Sequence, residues 1–123
     1  MGTNFTVTLE DNEDIFPALS TFAEENEIAY GLIISGKGAL KDFDIISHGQ
    51  RGTVEKVNYK REFEVNALSG KIETKGKEVK IKMNALVTSS GFTPISGELL
   101  GGKVAGFLQI VVRKVDMKKM IEA

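Results

Sequence analysis

Between Phe5 and Leu9 apolar and polar residues alternate, the two-residue period of a strand with one buried face. The spacing then lengthens. Ile15, Leu19, Phe22 and Ala23 fall on one side of a helix, and Glu24, Glu25 and Glu27 face away from it near its end. Asp11 or Asn12 can cap this helix, Glu13 and Asp14 suit the positive end of its dipole, and Pro17 is tolerated if it stays in the first turn. From Ala29 the period shortens again. Strands are predicted over 29–35 and near 43–47, separated by a turn at Gly36-Lys37-Gly38, and over 53–59 after a loop at 47–52. A strand over 61–68 ends at Ser69-Gly70, and a lysine-rich hairpin turns at Gly76. On its return arm Val79, Ile81, Met83, Ala85 and Val87 mark the core face.

The last third carries the clearest pattern. After a turn at Ser89-Ser90-Gly91, a short strand over 92–98 contains Pro94, which suits an edge or a bulge. Gly101-Gly102 then reads as a two-residue hairpin loop, feeding a run from Val104 to Val112 that is apolar on both faces. A small domain seldom covers both sides of such a strand, so this run predicts a subunit interface. Met117 to Ile121 reads as a short amphipathic tail.

These elements define an α+β class with one main N-terminal helix. At 123 residues, 41% hydrophobic and 27% charged, the chain is expected to be one domain spanning 1–123, with a core that needs no disulfide. No apolar run approaches the roughly 18 to 20 residues of a membrane helix. Without cysteines or a signal-like start, the expected compartment is the cytoplasm. The net charge of −1 excludes a globally basic nucleic-acid binder. Charge is uneven, however, and Lys71, Lys75, Lys77, Lys80 and Lys82 crowd the hairpin. They make a candidate phosphate-contacting face, set against a solvated hairpin whose lysines protect a sheet edge.

Catalytic signatures are sparse. Gly36-x-Gly38 lacks the third glycine and the following helix of a dinucleotide loop, its place being taken by Lys41. His48 stands in a polar loop with no evident partner, and Ser89, Ser90 and Ser96 are turn residues before they are nucleophiles. No cofactor is expected.

In order along the chain, Gly36-Lys37-Gly38-Ala39-Leu40, Phe63-Glu64-Val65 with Leu68-Ser69-Gly70, and Ser96-Gly97-Glu98-Leu99 with Gly102-Lys103-Val104 resemble the plants-and-prokaryotes-conserved domain family. The resemblance covers nearly the whole chain. It implies an antiparallel sheet with one main helix, assembled as a homotrimer. In plants such domains follow AT-hook segments of nuclear DNA-binding proteins, but no Arg-Gly-Arg-Pro core occurs here. Many prokaryotic members carry a His-x-His pair and a third histidine in a Gly-Gly-His-Leu turn, suited to a metal at a subunit boundary. By spacing those places are Lys82, Asn84 and Glu98, although a one-residue slip puts Met83 in the middle position. A lysine ammonium is not a zinc ligand, so no zinc is predicted, and an ion pair of Lys82 with Glu98 is expected in its stead. The resulting expectation is a non-catalytic, homotrimeric module with DNA or a regulatory protein as partner, binding through Lys75, Lys77, Lys80, Lys82, Asn84 and Glu98. The alternative is a small-ligand or enzymatic site at the trimer boundary around Lys82, Asn84 and Glu98; a third reading is a purely structural assembly protein.

Overall fold

The computed structural model describes residues 3–48 and 54–115. Along them run β1 (Thr3–Glu10), α1 (Ile15–Glu25), β2 (Tyr30–His48), β3 (Val54–Tyr59), β4 (Phe63–Lys75), β5 (Glu78–Thr88) and β6 (Ile95–Lys114). Every pairing between these strands is antiparallel. β2 and β6, the two longest, pair with each other along most of their length and form a spine. On the far edge of β6 lie first β5 and then β1; on the far edge of β2 lie β4 and then β3. Because β4 also pairs with β5, the sheet closes on itself through β2, β4, β5 and β6. Closure removes edges from those four strands, while β1 and β3 each keep one free edge.

Alternation decides which side chains fill the interior. Phe43, Phe63, Leu40, Ile45, Ile72, Met83, Leu99, Leu108 and Ile110 are fully buried, and α1 adds Ile15, Leu19 and Ala23. Each large aliphatic side chain so buried contributes about 1.5 to 3 kcal/mol through removal of apolar surface from water. Helix and first strand also meet through Phe5 and Phe22, packed edge-to-face at 5.5 Å. At the other end Phe43, Tyr59, Phe63 and Phe92 form a chain of ring contacts between 5.2 and 5.6 Å.

Several sequence expectations change. The glycine motifs at 36–38, 69–70 and 101–102 are not turns; all lie inside continuous strands. Glycine is needed there because backbones in a small closed sheet come very close. A Cβ on Gly38 would run into the Phe107 carbonyl, one on Gly70 into that of Lys82, and one on Gly102 would lie 2.5 Å from the Phe43 Cβ. β2 and β6 absorb their curvature through register shifts, such as that between Gly38 and Leu40. The turn at Gly76 holds, with a left-handed φ of 64° that favours glycine, whereas Pro94 lies just before β6 rather than in it. His48 closes β2, paired with Val54, and the remainder of the predicted loop lies outside the described residues. The predicted tail at 117–121 lies outside them too.

The helix cap also differs. Asp14 occupies the N-cap, with no side-chain cap bond, and Pro17 is accommodated in the first turn. Asp11 is used elsewhere. Its Oδ1 accepts the Gly106 backbone N–H at 2.8 Å and the Lys41 ammonium at 3.1 Å, tying the helix entry to β6 and β2. These bonds favour the ionised carboxylate and hold its pKa below 3.8, the Gly106 amide first and Lys41 second. Asn12 N–H to the Val104 carbonyl and Val104 N–H to the Glu13 carbonyl complete the stitch.

Nor is the two-sided apolar run left bare as a whole. Val104, Ala105, Leu108, Ile110 and Val112 are buried within this chain, and Phe107, 50% exposed, is the large apolar side chain of the run that stays open. The exposed apolar surface lies instead on neighbouring strand segments.

Candidate functional site

That surface borders an open groove of about 990 Å³ on the outside of the sheet. Because Met83, Ala85 and Val87 point inward, Lys82, Asn84 and Leu86 point outward along β5. Asn84 lies directly opposite Glu98 of β6 on one side and Ser69 of β4 on the other; Leu86 lies opposite Ser96 and Ala67. All of these residues line the groove. Its walls are completed by Ile34 and Ile46 of β2 and Val54 of β3. Ile34 is 43% exposed and Val54 61%, unusually open for aliphatic side chains.

The structure thus brings Lys82, Asn84 and Glu98 together in one groove. The expected ion pair is not made: among the described residues the salt bridges are Lys41–Asp11, Lys60–Asp42 and Lys71–Glu73. Glu98 faces Asn84, so Lys82 stands one cross-strand diagonal away, about 7 to 8 Å between backbone positions. A cation and an anion therefore flank a neutral amide, neither of them neutralised by the other. The donor set does not suit a zinc ion, since it offers one carboxylate, an amide and a lysine. Among the described residues no three His, Cys, Asp or Glu side chains are grouped as a metal site.

Lys75, Lys77 and Lys80 lie apart from this groove. Lys75 and Lys77 sit at the β4–β5 hairpin turn, and Lys80 lies opposite Glu73, which Lys71 already engages at 3.1 Å. All three are exposed. Residues that sequence reasoning missed are the groove's hydroxyls Ser35 and Ser69 and its aliphatic walls, because strands 34–36, 46, 54 and 67–69 meet only through closure of the sheet. A second, smaller cavity of about 530 Å³ lies near Phe107, lined also by Lys37, Glu62, Glu64, Ser89 and Ser90.

A closed antiparallel sheet, one helix packed against it and a polar groove with aliphatic walls define the class. The model of the Plants and Prokaryotes Conserved (PCC) domain matches residues 1–116, and the chain belongs to that family. Its fold is similar to that of a plant- and prokaryote-conserved protein of Pyrococcus horikoshii, at 18% identity and a TM-score of 0.79, covering 94% of this chain and 82% of that one. A metal-containing protein of Archaeoglobus fulgidus is similar at 23% identity and a TM-score of 0.77, over 92% of this chain and 79% of that one. A "putative DNA binding protein" of Bacteroides thetaiotaomicron aligns at 22% identity with a TM-score of 0.80, over 94% of this chain and 81% of that one. No curated protein matches the chain by sequence.

Proposed function

We propose that this chain is a non-catalytic binding module, one domain that self-associates as a homotrimer and takes a small ligand in the groove at Lys82, Asn84 and Glu98. One observation carries the reading: an unneutralised cation and anion share a groove whose walls are exposed aliphatic side chains. Leu86 and Leu100, each 37% exposed, adjoin that polar centre on the same outward faces of β5 and β6. A second copy seated on these side chains buries them and encloses the charges, which places the ligand at a subunit boundary. Light scattering on the purified protein tests the assembly. The expected mass is three times that of the chain, and Leu86→Glu, which buries a charge at the contact, is expected to yield monomers with an unchanged circular-dichroism spectrum. A wild-type monomer at micromolar concentration overturns the reading.

A second reading, DNA binding, draws support from the exposed Lys75, Lys77 and Lys80 and from the description of the Bacteroides thetaiotaomicron relative. With a net charge of −1, such binding requires a local basic face, which this hairpin offers.

A further inference from the structure

The order of chemistry along the groove identifies a class of ligand. On the outward face of β5 a cation, an amide and an aliphatic side chain follow one another at Lys82, Asn84 and Leu86. Across from the amide stands the carboxylate of Glu98, and across from Leu86 the small residues Ser96 and Ala67 leave space beside it. A ligand matching this series has an anionic group for Lys82, a cationic group for Glu98 and an apolar group for Leu86 and Ile34. The two charges of the ligand must be close together, because the backbone positions of their partners are separated by a single cross-strand diagonal, about 7 to 8 Å. Both are required once a second copy covers the groove, since a ligand with one charge then leaves the opposite protein charge with neither water nor a partner.

We propose that the groove binds a free α-amino acid with an aliphatic or aromatic side chain. Its carboxylate accepts from the Lys82 ammonium, its ammonium donates to the Glu98 carboxylate, and the Asn84 amide, between the two, can serve either group. The side chain lies against Leu86 and Ile34. This inference rests on the groove reading above. The groove's volume of about 990 Å³ exceeds what one amino acid fills, and a second copy on the aliphatic rim takes up the remainder. Water excluded by that copy no longer screens the two charge pairs, which strengthens both.

Isothermal titration calorimetry of the wild-type protein with L-leucine, 4-methyl-2-oxopentanoate and 3-methylbutylamine tests the assignment. These share one side chain and carry both charges, the anion alone and the cation alone. The expected result is one leucine per chain, with each single-charge analogue bound at least tenfold more weakly. Glu98→Gln is expected to weaken leucine binding about tenfold while the oxo acid binds more tightly than to wild type; Lys82→Met is expected to weaken leucine and to tighten the amine. Either analogue binding as tightly as leucine overturns the amino-acid assignment, while a charge-selective response still identifies the groove as a ligand site. No binding by any of L-leucine, L-phenylalanine and L-methionine also overturns the assignment. Light scattering on the same samples separates this failure from failure of the assembly reading, because a wild-type monomer marks the latter.

Discussion

Two neighbouring glycines within β6 have opposite surroundings. A Cβ on Gly101 meets nothing within 4 Å, whereas one on Gly102 would sit 2.5 Å from the Phe43 Cβ and 3.1 Å from its Cα. Phe43 cannot yield, being fully buried and packed edge-to-face on Phe63 and at a tilt on Tyr59. Gly102→Ala is therefore expected to cost about 2 to 3 kcal/mol, a typical overpacking penalty. Gly101→Ala is expected to stay within about 0.5 kcal/mol of wild type, as open-surface substitutions do. Urea denaturation of the two variants distinguishes them, and equal losses at both would show that the pair acts through backbone freedom instead. The contrast explains why the glycine motifs read as turns in the sequence and lie inside strands in the fold. A glycine that turns a chain and one that lets two strands touch are identical in the sequence, and only the identity of the strand lying against it separates them.

At the scale of elements, most of what the alternation predicted is present: the first strand, the single helix with Ile15, Leu19 and Ala23 inward, and the hairpin with Met83, Ala85 and Val87 inward. Those patterns survive because each is a local consequence of one buried face. The helix entry was not legible, since the partners of Asp11 come from β6 and β2, far away in sequence. That clasp makes stability depend on pH with a defined sign. The folded pKa of Asp11 is lowered, so its contribution is present above the unfolded value near 3.8 and is lost as pH falls through the lower folded value. Asp11→Asn is accordingly expected to lower the urea midpoint at pH 7, with the difference from wild type closing below about pH 4. A gap that stays constant to pH 3 would assign the effect to lost shape rather than lost charge. The side chain is solvent-exposed, so the gap should also narrow in high salt.

For the whole molecule, the resemblance singled out Lys82, Asn84 and Glu98, which the structure sets along one groove, but not the groove's walls, because Ile34, Ile46, Val54 and Ser69 arrive only when β2, β3, β4 and β5 are brought side by side. The same arrangement sets Lys75 and Lys77 at the end of a hairpin, away from the groove, so ligand and DNA readings make separable demands. Phosphate contact by Lys75, Lys77 and Lys80 would release counterions, lowering log K by roughly 0.9 per contact for each unit of log salt. A slope near −3 is thus expected for one hairpin, with more if assembly aligns several along one duplex. Fluorescence anisotropy of a labelled duplex across a salt series measures that slope. The triple change of Lys75, Lys77 and Lys80 to Glu should abolish binding while leaving the mass by light scattering and the groove's ligand affinity unchanged. Binding that survives the triple change would move the nucleic-acid face elsewhere, and no binding by wild type at low salt would remove DNA from consideration. Since the chain's net charge is −1, any affinity found must come from local geometry: a basic hairpin can hold phosphates only if the acidic helix end at Glu24, Glu25 and Glu27 is turned from the duplex.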